Sequence, residues 1–222
     1  MEDGSNAEAP TEGVLSPAAI AGGRRRSEGT ERLEAMSDGV IAIAITLLVL
    51  EIHVPEERGN EALARALVDQ WPSYFGFALS FLTIGVVWAN HHDMFRDIAR
   101  VDHVLVVLNL LLMMGISFIP FSTAVLAGHL EAEDGRFVAT ILYGASFLFT
   151  AVLLNVIWHY ASWRRRLIAP DVSGRHIHGR SVRYVVGPLF YGLTLPLAMI
   201  SPLISLTVYA IVAAIYLIPV GD

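Results

Sequence analysis

The residues that could carry chemistry in this chain form two polar groups, each at the end of a long apolar stretch. Ser37 and Asp38 stand directly before the apolar run Gly39–Leu50. The segment Trp88–Arg96 (WANHHDMFR) follows the second apolar stretch and holds two adjacent histidines. A carboxylate at the edge of a membrane-spanning helix is energetically costly and needs a partner. Asp38 is therefore a candidate member of a functional site.

Metal binding and enzymatic catalysis are poorly supported by these residues. His91 and His92 would point about 100° apart on a helix, and neither has a histidine or a carboxylate four residues later. The sequence lacks the Gly-x-Ser-x-Gly turn of a hydrolase nucleophile, a phosphate-binding P-loop and a Gly-x-Gly-x-x-Gly motif. We therefore expect no enzymatic activity, no metal site and no cofactor.

The composition of the chain is typical of a membrane protein. Of its 222 residues, 55% are hydrophobic, compared with about 45–50% in soluble domains. These residues cluster into long runs, which predict an all-α, polytopic fold with transmembrane helices near residues 32–54, 71–90, 104–126, 137–159, 182–200 and 202–220. Residues 1–30 are predicted to form a disordered cytoplasmic tail, and residues 31–222 a single six-helix domain.

The distribution of arginines predicts the orientation of these six helices. All fifteen basic residues are arginine. With six spans, twelve of the fifteen fall on the side that holds both termini, and basic residues favour the cytoplasmic side. We therefore expect a multi-pass protein of the plasma membrane with cytoplasmic N- and C-termini. The twelve are Arg24, Arg25, Arg26, Arg32, Arg96, Arg100, Arg164, Arg165, Arg166, Arg175, Arg180 and Arg183.

The first apolar helix has two distinct faces. Asp38 points away from the face that holds Ile43, so it needs a partner from another helix. The candidates at the same end are His91, His92, Arg96 and Asn109. We favour a packing role for Asp38, while a secondary or proton-coupled transporter that uses Asp38 and the histidines, or a non-conducting scaffold, stays possible. The face of Ile43 is apolar apart from one hydroxyl and consists of Met36, Gly39, Val40, Ile43, Thr46, Leu47, Leu50 and Val54.

The motif at residues 32–39 (R-x-x-x-M-S-D-G), with Ala42, Ile43 and Thr46 after it, resembles the first-helix signature of the transmembrane protein 175 family. That family comprises endolysosomal potassium channels and their prokaryotic relatives. Met36 stands where the family usually has phenylalanine. The W-x-x-H-H-x-x-F segment at residues 88–95 also resembles the family.

The resemblance implies a homotetrameric potassium channel without a re-entrant filter loop, in which the first helix of each subunit lines a central pore. Ile43 would form the narrowest ring, Leu47 and Leu50 would follow toward the outside, and Thr46 would be a polar contact. A ring of isoleucines can close a pore by dewetting. We expect K⁺ as the permeant ion, the lipid bilayer as surroundings and no nucleic acid as partner. A structural network would hold the pore helix in place and include Arg32, Met36, Ser37, Asp38, Trp88, His91, His92 and Asn109.

Overall fold

A computed structural model of the chain describes residues 28–217. The predicted tail lies outside the described residues except for residues 28–30, which already form the first turn of a helix. The first helix therefore begins four residues before Arg32, the start predicted from the sequence. Thr30 and Leu33 in its first turns are buried, so this extension packs against the rest of the chain.

The described part of the chain folds into seven α-helices. It contains no β-strand, apart from one isolated bridge between Ile98 and Ile168, and the prediction of an all-α fold is confirmed. The first helix continues into a short 3-10 helix, Leu48–Glu51, and a second short 3-10 helix, Trp163–Arg165, follows the fifth. The seven are α1 Glu28–Leu47, α2 Asn60–Asp69, α3 Trp71–Asp97, α4 His103–His129, α5 Arg136–Ser162, α6 Gly174–Ile200 and α7 Pro202–Leu217.

Five of these segments are long and apolar enough to cross a membrane, which confirms that this is a membrane protein. They are α1 with its 3-10 extension, α3, α4, α5 and α6. The apolar part described for α7, Pro202–Ile211, is shorter than a span, so the sixth span and the orientation remain predictions. Both α3 and α6 are longer than the predicted spans 71–90 and 182–200, because the polar segments that end at Asp97 and begin at Gly174 are also helical.

Helix packing places α1 and α6 in different parts of the bundle. The helix α1 packs against α3 and α4, whereas α6 packs against α5 and α7. The helices α4 and α5 make the most extensive contact and contribute large buried side chains, including Ile116, Phe147 and Trp158. The α1 site and the α6 region can therefore be considered separately.

The end of the bundle where α3 and α5 end and α4 and α6 begin is held together by the backbone. The N–H of Ala99 donates to the carbonyl of Leu167 at 2.9 Å, and that of Ala169 donates to the carbonyl of Asp97 at 2.9 Å. These bonds join the α3–α4 connection to the α5–α6 connection. We call this the arginine-rich end, because it holds Arg96, Arg100, Arg164, Arg165, Arg166, Arg175, Arg180 and Arg183.

Asp102 at this end caps α4. Its carboxylate accepts from the N–H of Leu105 at 2.9 Å and from the hydroxyl of Tyr160 at 2.6 Å, and Arg166 lies 3.4 Å away. Partial burial acts to raise the pKa of Asp102, but the Tyr160 hydrogen bond, the Leu105 N–H and Arg166 outweigh it, so the pKa is lowered. Asp102 therefore links the start of α4 to the end of α5 as a carboxylate.

Candidate functional site

One face of α1 is buried against α3 and α4. Ser37, Ile41, Ala44 and Leu48 are at most 2% exposed, and their spacing of three to four residues follows the helical period. This face supplies both apolar contacts and one polar residue, Ser37, to the interior. The orientation of α1 is therefore fixed by its buried side.

A hydrogen-bonded chain of three wholly buried polar residues joins α1, α3 and α4. The amide of Asn109 donates to the hydroxyl of Ser37 at 2.8 Å, and its carbonyl oxygen lies 3.0 Å from Nε2 of His91. Since an amide oxygen only accepts, His91 must donate through Nε2. Ser37 in turn donates to the carbonyl of Leu33 at 2.8 Å. Three helices are thus connected inside the bundle by side chains that have no access to water.

Asp38 has a different partner from those expected. The indole N–H of Trp88 donates to its carboxylate at 3.0 Å, so the expectation of His91, His92, Arg96 or Asn109 as the partner is wrong. Two of those candidates bond to each other instead, because His91 and Asn109 both face the interior of the bundle. Asp38 does receive a donor from another helix, as the cost of an isolated carboxylate requires.

His92 lies beside this contact and is paired with Glu34, a residue that was not predicted from the sequence. Its Nδ1 is 3.0 Å from a carboxylate oxygen of Glu34, and its ring stacks on Trp88 with 5.9 Å between ring centres. Glu34 is 7% exposed. It precedes Ser37 by three residues, and this spacing places the two on the same side of α1. That spacing is the signal that could have identified Glu34.

Arg32 and Met36 do not join this network within the single chain. Arg32 is exposed and makes no hydrogen bond or ion pair with another residue that the structure describes. Met36 is also exposed. Their predicted structural roles therefore concern contacts beyond the single chain and remain predictions.

The opposite face of α1 presents an apolar stripe to the outside of the subunit. Ile43, Leu47 and Leu50 are 61%, 42% and 69% exposed. Thr46 is exposed on the same side, and its hydroxyl donates to the carbonyl of Ile43 at 2.8 Å. Because the hydroxyl hydrogen is used in that bond, the oxygen lone pairs of Thr46 are available to a cation.

Residues 32–120 match the sequence model of a family described as the endosomal/lysosomal potassium channel TMEM175. A potassium channel of Streptomyces collinus is 40% identical over 83% of this chain and 90% of its own length. This chain belongs to the TMEM175 family. The crystal structure of a lysosomal potassium-selective channel TMEM175 homologue from Chamaesiphon minutus matches with a TM-score of 0.77 and 38% identity. That match covers 86% of this chain and 97% of the other.

Family members are named for different ions, since the bacterial relatives are potassium channels and the vertebrate relatives are proton channels. The human relative, an endosomal/lysosomal proton channel TMEM175, is 33% identical over 59% of this chain, and the match covers 29% of the human protein. The named relatives are ion channels, so the expectation that the chain is not an enzyme is confirmed on that ground. Among the residues that the structure describes, no group of three His, Cys, Asp or Glu residues could hold a metal ion.

The part of the chain matched by the TMEM175 family model contains the whole α1 site. It includes the buried network and the apolar stripe, and it ends within α4 at residue 120. Chemistry on α6 lies outside this matched region. The α1 site thus lies within the region that the family model matches, while the similarity to the relatives extends over most of the chain.

A second polar cluster, at the arginine-rich end, joins the matched region to α6. Arg180 lies 3.0 Å from the carboxylate of Asp97 and 3.9 Å from that of Asp93. His176 is 3.0 Å from the same Asp97 oxygen, and the hydroxyl of Tyr184 donates to the carbonyl of Asn90 at 3.1 Å. The sequence analysis missed this cluster because its members are about 80 residues apart and no local pattern connects them.

Proposed function

We propose that this chain is the subunit of a potassium-favouring cation channel whose pore is lined by α1. The observation that carries the proposal is the two-sided character of α1. Its buried face is hydrogen-bonded to α4 through Ser37, and Asp38 beside that face is hydrogen-bonded to α3. Its apolar stripe of Ile43, Leu47 and Leu50 is exposed on the single chain. The names of the bacterial relatives support potassium as the permeant ion.

One helix per subunit cannot enclose a pore, so the proposal requires several copies of the chain. We propose a homotetramer in which four Ile43 side chains form the narrowest ring. Such a ring excludes water when closed, and opening requires the helices to spread or rotate. Thr46 supplies the polar oxygen nearest to this ring. With so few oxygens to replace the hydration shell, we expect only a modest preference for K⁺ over Na⁺.

We propose that the subunit spans the plasma membrane six times, with residues 202–220 as the sixth span. Both termini then lie in the cytoplasm. The support is the charge distribution: this topology puts the arginine-rich end and the N-terminal arginines on one side, as the preference of basic residues for the cytoplasm requires.

The pore proposal is tested by the variant Ile43→Asn in reconstituted protein. A polar ring wets more readily than an apolar one, so we expect a larger potassium current and weaker selectivity over sodium. Val152→Asn is the matched control, because Val152 is an exposed apolar residue of α5, a helix whose backbone does not approach α1 within the chain. Equal currents for wild type and Ile43→Asn would contradict the proposed constriction.

The chain contains no cysteine, which permits a direct test of the assembly. In the proposed ring, the side chains at position 43 of neighbouring copies meet at the axis. A single Ile43→Cys variant should therefore form disulfide-linked dimers on oxidation, since a disulfide forms only between Cβ atoms that can come within about 3.5–4.5 Å. A cationic thiol reagent should also block its current. Val152→Cys should do neither. Failure of Ile43→Cys to cross-link or to be blocked would place α1 away from the axis.

The carrier alternative is less well supported. Asp38 and His91 are engaged in hydrogen bonds to Trp88 and Asn109, and the named relatives are channels. In a channel, Asp38→Asn keeps a non-saturating potassium flux in the protein that folds. Saturable uptake that disappears in Asp38→Asn, with no effect of Ile43→Asn, would favour the carrier.

A further inference from the structure

A cavity of about 300 Å³ lies between α3, α5 and α6, away from the α1 site. Its walls are mainly apolar and include Val86, Leu154, Val186, Pro188 and Phe190. The cavity exists because α3 and α6 each pack on α5 without touching each other through their backbones.

The mouth of this cavity is polar and carries an unpaired positive charge. Arg183 lines the cavity, is exposed, and makes no hydrogen bond or ion pair with another described residue. Arg180, one turn earlier, is neutralised by Asp97 at 3.0 Å. Asn90 also lines the cavity, and its buried side-chain oxygen has no hydrogen-bond partner within the described part of the chain.

The position of Arg183 along α6 corresponds to the surface of a membrane. It is the last charged residue before the uncharged run Tyr184–Ile200. From Arg183 to Tyr191 the cavity follows α6 for eight residues, or about 12 Å at 1.5 Å per residue. One leaflet contributes about 15 Å of hydrocarbon. The apolar part of the cavity therefore fits within one leaflet, with Arg183 at the headgroup level.

We propose that this cavity binds an anionic phospholipid, with the phosphate at Arg183 and one acyl chain along Val86, Val186 and Phe190. Charge complementarity selects this ligand, because an unpaired guanidinium beside an apolar slot matches a phosphodiester attached to a hydrocarbon chain. Within one subunit, the backbone of α1 does not approach that of α5 or α6, so the cavity is separate from the α1 site of the same chain.

The test is native mass spectrometry of the purified full chain incubated with phosphatidylglycerol or phosphatidylcholine. Wild-type protein should retain phosphatidylglycerol preferentially. Arg183→Gln should lower that retention about fivefold, the factor that one basic residue near an anionic lipid contributes. Arg175→Gln is the matched control, since Arg175 is an exposed, unpaired arginine of α6 that does not line the cavity. Equal retention by the two variants would overturn the proposal.

A second variant tests the acyl-chain position. Ala151 lines the cavity on α5, and Ala151→Phe should fill the slot and reduce the retention of both lipids while the oligomer stays intact. Loss of the oligomer in Ala151→Phe would show that a second copy of the chain occupies the slot, and displacement of the lipid by inorganic phosphate would show a site for the headgroup alone. Either result overturns the proposal. The two arginine variants change only exposed side chains, so they test it even if Ala151→Phe does not fold.

Discussion

The buried hydrogen bond between Ser37 and Asn109 should stabilise the attachment of α1 measurably. Ser37→Ala removes the acceptor of the Asn109 amide, which lies 2.8 Å away and is wholly buried. The carbonyl of Leu33, to which Ser37 also donates, keeps its own helical hydrogen bond. The variant therefore leaves one orphaned donor, the Asn109 amide, inside the bundle.

The expected magnitude follows from that orphaned group. Interhelical hydrogen bonds in membrane proteins contribute about 0.6 kcal/mol on average and about 1.7 at most, and a buried unsatisfied donor costs about 1–3 kcal/mol. Ser37→Ala should therefore lower the free energy of unfolding by about 1–2 kcal/mol. Asn109→Ala should cost more, about 2–4 kcal/mol, because it also leaves His91 without its partner and opens a small cavity.

The assay is a double-mutant cycle of Ser37→Ala and Asn109→Ala, with unfolding by denaturing detergent in mixed micelles. We expect a coupling energy of about 0.6–1.7 kcal/mol. Ser146→Ala is the matched control, because this buried hydroxyl bonds only to the carbonyl of Leu142, at 2.8 Å within its own helix. Equal costs for Ser37→Ala and Ser146→Ala, together with a coupling energy of zero, would contradict a stabilising hydrogen bond between Ser37 and Asn109.

Two further predictions concern the cap of α4 and the packing of α7. The Tyr160 hydrogen bond and the neighbouring charges hold the pKa of Asp102 below its unfolded value, so its stabilisation is complete above about pH 4 and is lost as pH falls through the folded pKa. Asp102→Asn should lower stability at neutral pH by about 1 kcal/mol, because asparagine can still cap α4 but loses the charge that Tyr160 and Arg166 contact, and it should flatten the acid limb of a stability–pH profile. A Cβ on Gly144 would overlap the hydroxyl of Tyr209, so Gly144→Ala should cost about 1–3 kcal/mol, whereas Gly192→Ala, in open space, should cost nothing in the same thermal assay.

The fold was predictable from the sequence where burial in lipid dictates it. Long apolar runs predict six spans, and five of them are helices long enough to cross a membrane, because a chain in hydrocarbon must satisfy its own backbone hydrogen bonds. The ends of α3 and α6 were not predictable in this way. Asp97 and Gly174 lie beyond the apolar runs, and their helical state depends on contacts with distant residues, such as Arg180 with Asp97. Hydropathy does not report those contacts.

For the candidate site, the sequence predicted the helix face on which Asp38 lies but not its hydrogen-bond partner. The helical period correctly turned Asp38 away from Ile43 and required a donor from another helix. It did not select Trp88 over the nearby histidines, because that choice depends on which side chains of α3 already face the interior. Whether Ile43, Leu47 and Leu50 meet at an axis depends on how several chains assemble. The helical spacing in the sequence predicts that these residues share one face of α1, but it does not predict what that face contacts.

The backbone hydrogen bonds at the arginine-rich end can form only late in the synthesis of the chain, because they join the α3–α4 connection to the α5–α6 connection. The connection between α3 and α4 is made and inserted before α5, yet the hydrogen-bond partners of Asp97 and Ala99 are Ala169 and Leu167, after α5. Until then, water must satisfy the groups of the first connection, which is possible because they lie outside the hydrocarbon. The two connections can therefore pair only after the chain has emerged from the ribosome as far as Ala169, and a chain that ends before Leu167 would lack these hydrogen bonds.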